Sequence, residues 1–294
     1  MKIAVTGASG LIGTALVPAL RRDGHQVLRL VRRPAQAPDE VTWDPTRQTV
    51  DLGGLAGTQA VVHLAGVGVG DKRWTDAYKA QILSSRVLGT RTIARAIARM
   101  DPPASVLVSA SAIGFYGDTG DRPVDESAPP GSGFLAEVVQ AWEAAADEAR
   151  EAGVRVVHPR SGLVMSRNGG AWGRMLPLFR LGVGGRLGSG RQYWSFITLA
   201  DELRALTFLL ESGLSGPVNL TAPHPVTNAE LTRAMGRALH RPTLLPVPAF
   251  ALKTALGEFS TEVLGSQRVL PAALQAAGFL FEQPDIASAV ATLS

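Results

Sequence analysis

The stretch Lys2–Gly24, "KIAVTGASGLIGTALVPALRRDG", decides the fold. Its "KIAV" reads as a short buried strand. "TGASGLIG" follows, with glycines at 7, 10 and 13, and a helical pattern then runs to Gly24. Glycines permit a tight turn and close approach of backbone to a ligand. The helix start behind them offers free N–H groups and a partial positive charge to an anion. Strand, glycine turn and helix in this order make a pyrophosphate site, with Gly7, Gly10, Leu11, Ile12 and Gly13 around the phosphates. The spacing is GxxGxxG, not the commoner GxGxxG.

Downstream, the same alternation continues. Strand patterns fall at 26–31 (QVLRLV), 60–66 (AVVHLAG), 105–112 (SVLVSASA) and 154–159 (VRVVHP). Helical patterns lie between them, from about Trp74 to Ala98 and over 134–153. Strands apolar on both faces, separated by helices, predict a doubly wound, Rossmann-like parallel α/β sheet. After Arg160 the chain turns rich in Gly and Arg, as in "SRNGGAWGRMLPLFRLGVGGRLGSGRQ" (166–192). The expected division is a nucleotide-binding domain over 1–160, its sheet completed by parts of 190–225, and a smaller C-terminal substrate lobe over 161–294.

The tip of the second strand selects the nucleotide. A site for NAD places an acid there, about 20 residues beyond the turn, against the ribose hydroxyl. Here the strand ends in Arg32 and Arg33, whose guanidinium groups suit a 2′-phosphate. The expected cofactor is therefore NADP(H), preferred over NAD(H).

Composition narrows the remainder. The chain has no cysteine, which excludes disulfides and cysteine metal sites and suits a reducing cytoplasm. HExxH, the G-x-S-x-G elbow and the Walker loop are all absent, so no metal site is expected. Net charge is +4, but 29 basic residues face 25 acids without a basic stripe, so no nucleic-acid partner is expected. No run approaches the roughly 20 apolar residues that span a bilayer, so no membrane partner is expected either.

Several motifs stand in order: "TGASGLIG", "HLAG" (63–66), "SRVLGT" (85–90) and "SASAIGFYG" (109–117). Together they resemble the extended short-chain dehydrogenase/reductases, the NAD-dependent epimerase/dehydratase family. "RWTDAYKAQILSSR" (73–86), "PRSGLVMSRNGGA" (159–171), "GGRLGSGRQYWSFI" (184–197) and the tail 256–281 resemble an atypical branch with its own C-terminal extension, here about 247–294. The resemblance implies a small-molecule substrate and a homodimer. It puts Arg32 at the adenosine phosphate, and Leu64, Ala65 and Gly66 along the cofactor. Gln81, Arg86 and Ser109 fall at further cofactor positions, and Ser111 matches the catalytic serine. Arg160, Arg186, Arg191 and Trp194 are candidate substrate contacts, the arginines suiting an anionic substrate.

The family's catalytic Tyr-x-x-x-Lys is missing. Tyr78, Tyr116 and Tyr193 are followed four residues on by Ile82, Gly120 and Ile197. Leu135 and Val139 stand where the pair belongs. A phenol titrating near 10 needs a nearby cation to act at neutral pH, so other groups must serve or no turnover occurs. Glu137 and Tyr116 are the candidate proton carriers beside Ser111. Two readings stand: an NADP(H)-dependent oxidoreductase or epimerase-like enzyme, and a non-catalytic NADP(H)-binding sensor or scaffold.

Overall fold

The computed structural model describes residues 1–293. The first half contains β1 (Lys2–Thr6), α1 (Leu11–Arg22), β2 (Gln26–Val31), β3 (Glu40–Asp44), β4 (Thr49–Val50), β5 (Ala60–His63) and α2 (Asp76–Ala98). Then come β6 (Val106–Ser109), β7 (Ser111–Ala112), α3 (Phe134–Ala144), α4 (Asp147–Glu151) and β8 (Arg155–Ser161). The second half adds β9 (Leu163–Met165), α5 (Gly170–Arg180), β10 (Tyr193–Trp194), β11 (Phe196–Thr198), α6 (Leu199–Glu211) and β12 (Gly216–Leu220). It ends with β13 (Val226–Thr227), α7 (Asn228–Leu239), α8 (Ala249–Leu256), α9 (Ser260–Leu264), α10 (Ala272–Ala276) and α11 (Ile286–Ala291).

The main sheet has nine strands, ordered β12-β8-β6-β5-β1-β2-β3-β4 with β7 also on β8. All pairs are parallel except β3 with β4. Alternate residues of each strand feed opposite cores, as the two-residue period demands. Ile3, Val5, Val62 and Val108 pack with α1 and α6, while Ala4, Val61 and Leu107 pack on the other face with α2 and α4. The doubly wound α/β expectation holds, and the strand order reverses between β1 and β5. In such sheets ligands bind beyond the strands' carboxyl ends at that switch point.

Two local readings needed revision. The helix expected over 134–153 is broken at Ala145–Ala146 into α3 and α4, and both pieces pack against α2. The strand β3 escaped the sequence reading, because "EVTWD" is short and carries an acid at each end. The last sheet strand, β12, arrives from far along the chain and pairs with β8 from Gly216↔Val157 to Leu220↔Ser161. A separate core, with Trp172, Leu176, Phe179, Phe196, Leu231 and Met235, joins α5 to α7 and α11. Among the described residues no helix is long and apolar enough to cross a membrane.

Candidate functional site

The glycine turn lies at the switch point. Gly7 has φ +65°, and a Cβ there would come within 2.8–2.9 Å of the Leu64 and Ala65 backbone. A Cβ at Gly13 would meet the Gly7 carbonyl oxygen at 2.2 Å. The turn therefore packs backbone on backbone, and only glycine fits at either position. Gly10 caps α1 without a side-chain hydrogen bond, so the helix start offers its amides to a ligand. Leu11 and Ile12 are half-buried in the first turn, and Gly170 at the head of α5 lies against Leu11, 3.1 Å from a built Cβ. These features fit a dinucleotide's pyrophosphate.

Thr6, at the end of β1, ties the two sides of the switch together. Its Oγ1 accepts from Leu64 N at 3.0 Å and Ala65 N at 3.3 Å, and lies 2.8 Å from His63 Nδ1. Burial pulls His63 down to about 4, so the ring is neutral at pH 7, and Thr6 Oγ1, which already accepts two N–H bonds, has its own proton left to donate to Nδ1. The proton then sits on Nε2, which is buried without a partner. Gly66 is exposed, and a Cβ on it would lie 3.5 Å from the Arg86 guanidinium carbon. Arg86 donates to Val67 O at 2.9 Å and Ile82 O at 3.1 Å and covers the Trp142 ring. It braces the loop, and burial lowers its pKa to about 10. The Gln81 side chain is exposed and makes no hydrogen bond among the described residues.

At the tip of β2 the two arginines part ways. Arg33 forks onto Glu40 with two bonds of 2.7 Å and is held in place. Arg32 is exposed and makes no ion pair among the described residues, so its guanidinium is free. No carboxylate stands at the strand tip itself.

The third group lies on β7 and β8. Arg160 is 3% exposed and sends two bonds of 2.8 Å to the two oxygens of Glu143. Ser111 Oγ donates to Glu143 Oε1 at 2.6 Å. Burial alone would raise the Glu143 pKa, but the Arg160 bond and charge, with Ser111, outweigh it and the net shift is down. Arg160 also donates to the Tyr116 hydroxyl at 3.0 Å, which donates to Asn219 Oδ1 at 2.8 Å. The Arg160 guanidinium lies 3.4 Å from the Phe115 ring centroid. Burial raises the Tyr116 pKa against the opposing pull of Arg160.

These placements amend three expectations. Glu137 sits on the solvent side of α3, its carboxylate without a partner among the described residues, because Ala136, Val138, Val139 and Trp142 take the inner face. Tyr116 has both roles of its hydroxyl occupied, and Arg160 serves as an internal counter-ion rather than a free anion contact. Ser109 is fully buried with an unbonded Oγ. Arg191 is exposed, Arg186 is exposed and bonds Ser189 O, and Trp194 is half-buried between Val226 and Gln267. The structure does not gather these three beside Ser111 through any hydrogen bond. Glu143 is the residue that sequence reasoning passed over. It lies four residues after Val139 on the apolar stripe of α3, and an acid on such a stripe was the available signal.

Comparison with known proteins gives the frame a lineage. Residues 3–220 match the model of the NAD dependent epimerase/dehydratase family, and residues 247–293 match a domain of unknown function, DUF1731. "Epimerase family protein Mb2239" of Mycobacterium bovis is 48% identical over 290 residues, 98% of this chain and 96% of that one. The crystal structure of human epimerase family protein SDR39U1 (isoform 2) with NADPH superposes with TM-score 0.89 at 32% identity, over 99% of this chain and 98% of that one. A nucleoside-diphosphate sugar epimerase from Corynebacterium glutamicum follows with TM-score 0.81 and 36% identity, over 99% of this chain and 57% of that one. The matched length, together with the glycine turn at the switch point, places the chain in the NAD-dependent epimerase/dehydratase family, on an extended short-chain dehydrogenase frame.

Proposed function

We propose that the chain is an NADP(H)-dependent oxidoreductase or epimerase-like enzyme. The observation that carries this reading is the Gly7–Gly13 turn, packed on Leu64 and Ala65 in a geometry that admits no side chain. Gly7, Gly10 and Gly13 with the start of α1 would hold the pyrophosphate, and Arg32 the 2′-phosphate. The NADPH bound to the human relative supports the same choice. When bound, the nicotinamide supplies hydride transfer at C4. The protein's part is to hold the substrate oxygen. Ser111 spends its proton on Glu143, so its remaining lone pairs can accept from a substrate hydroxyl. Arg160 keeps Glu143 ionised, and an ionised Glu143 keeps Ser111 turned in that sense.

A second reading, an NADP(H)-binding sensor or scaffold, is favoured by one observation. Leu135 and Val139 carry no titratable group, and the Tyr116 hydroxyl is already bonded on both sides. The two readings share the nucleotide, so binding is tested first. NADPH and NADH are titrated separately, following nicotinamide fluorescence, with wild type and Arg32→Ala. NADPH should bind the tighter, and the variant should lose that preference by roughly tenfold, the scale of one charge-assisted hydrogen bond. If neither nucleotide binds, both readings fail together. Glu143→Gln then separates them, since turnover needs the orientation of Ser111 whereas nucleotide binding does not.

A further inference from the structure

Two long stretches of this chain contain no Asp or Glu, residues 152–200 and 231–257. The first carries seven arginines, the second three arginines and a lysine. The fold lays part of one against part of the other. Arg241 Nε donates to Arg180 O at 2.9 Å, and Val247 N to Arg186 O at 2.8 Å. Gly188 N returns a bond of 2.8 Å to Val247 O, and Gly185 lies directly on the Leu245 carbonyl.

Along this seam, large apolar side chains stand in solvent. Leu181 is 75% exposed, Leu244 84%, Leu245 62% and Phe250 73%. Next to them Arg233, Arg237, His240 and Arg241 line a cavity of about 590 Å³ with Pro242 and Leu244. The Arg237 guanidinium makes no hydrogen bond or ion pair among the described residues, while its backbone carbonyl accepts from His240 N. One arginine in the last turn of α7 complements the helix carbonyls. That role does not account for four basic groups around one cavity, nor for the apolar rim beside it.

We propose that this rim docks the protein on a membrane surface carrying anionic phospholipid. The phosphate headgroup would enter the cavity at Arg237 and Arg241, while Leu181, Leu244, Leu245 and Phe250 would reach the acyl boundary. Basic groups beside exposed apolar groups match the two layers of an anionic interface, and each basic residue adds attraction. A second copy of the chain fits poorly, because a two-fold contact would set arginines against arginines. Single-stranded nucleic acid fits poorly too, because leucines offer no plane on which bases stack. The attachment is peripheral and leaves every helix outside the bilayer. It departs from the sequence expectation of no membrane partner, which weighed only spanning segments. It stands independently of the nucleotide reading.

The test is co-sedimentation of the full-length protein with vesicles of phosphatidylcholine alone and of phosphatidylcholine with phosphatidylglycerol. Binding should appear with the anionic vesicles and weaken as salt rises. Arg237→Ala with Arg241→Ala should weaken it by roughly 25-fold, about fivefold for each charge. Leu244→Asp with Phe250→Asp should weaken it at least as much, with circular dichroism unchanged in both variants. Four results overturn the proposal. One is no binding to anionic vesicles at low salt. Another is binding that neither double variant alters. The third is a wild-type dimer that Leu244→Asp converts to a monomer in light scattering, which makes the rim a self-interface. Glycerol phosphate that binds at the cavity with equal strength in the Leu244→Asp, Phe250→Asp variant also overturns it, since the site then serves a soluble anion.

Discussion

At the glycine turn, Gly7, Gly10 and Gly13 bring backbone against backbone, and the start of α1 carries no side-chain cap on its amides. Three strands along the same sheet edge, the cluster of Ser111, Glu143, Arg160, Tyr116 and Asn219 is entirely side chain and bonds chiefly within itself. One region leaves its hydrogen-bonding capacity open, as a ligand site must. The other closes its capacity internally, as a structural network does, and leaves only the lone pairs of Ser111. The difference teaches where to look for each function. Nucleotide binding is to be sought at the amides that open α1, and chemistry first at the lone pairs of Ser111. The first attempt to break this comparison is Glu143→Ala. Removing one partner of a buried pair leaves the Arg160 charge stranded, which costs ~3–5 kcal/mol. A urea unfolding midpoint should fall accordingly at unchanged m-value. A loss below about 1 kcal/mol would mean that water already shares the pair, and the network could not hold Ser111.

Strand β8 sharpens the contrast, because its adjacent residues Arg160 and Ser161 each hold a carboxylate, from helices packed on opposite faces. On one face Glu143 has Arg160. On the other, among the described residues the Glu202 carboxylate of α6 accepts only from Ser161 Oγ at 2.6 Å, and its Oε2 is buried without a partner. Burial pushes its pKa up from 4.5 to about 7. Between those values the folded protein keeps a proton that the unfolded chain has released. Stability therefore falls as pH rises from 4.5 to about 7, by of the order of 3 kcal/mol, and stays at the lower level above. His63 and His158, each lowered to about 4 by burial, slope the other way and cost stability as pH falls from 6.5 towards 4. Glu202→Gln removes only the first slope. The difference in unfolding free energy between variant and wild type should be near zero at pH 4.5, grow to pH 7 and then level off. A flat difference would show that Glu202 finds a partner on ionisation.

The turn can be challenged with a single methyl group. Gly13→Ala puts a Cβ at 2.2 Å from the Gly7 carbonyl oxygen and 2.7 Å from Ala8 Cα, both backbone atoms that cannot swing aside. Overpacking of this kind costs ~1–3 kcal/mol in stability. NADPH affinity should drop by at least about tenfold, since a shift of the turn moves every amide that faces the phosphates. An unchanged affinity would place the nucleotide elsewhere.

The turn was legible because it is local: a strand, three glycines and a helix within a dozen residues state their geometry outright. The parallel sheet was legible for the same reason, since each strand–helix unit repeats the signal. The side-chain cluster was not. Ser111, Glu143, Arg160 and Asn219 meet only after β8 and β12 pair in register, with Ser111 opposite Arg160 and Asn219 beside it. Arg160 reads as an anion contact until its carboxylate is found on another element, and Tyr116 reads as free until Asn219 arrives from 103 residues away. The apolar rim was hidden for a related reason, because Leu244 and Leu245 look like core residues in any window of the sequence.

Glu137 supplies the smallest effect and a useful control on the others. It stands on the same helix as Glu143, only six residues earlier, and is chemically identical to it. The helical repeat turns Glu143 inward with Val139 and leaves Glu137 in water, so environment alone separates the two carboxylates. Glu137→Gln should change the unfolding free energy by less than about 0.5 kcal/mol. Nucleotide affinity should be unchanged, and so should the pH profile of any turnover that is found. A profile that moves with Glu137→Gln and not with Glu143→Gln would reverse the assignment, making the exposed carboxylate the proton carrier and the buried pair mere scaffold. The comparison is decisive because the two substitutions make the same atomic change on one helix, so helix propensity and charge count cancel between them.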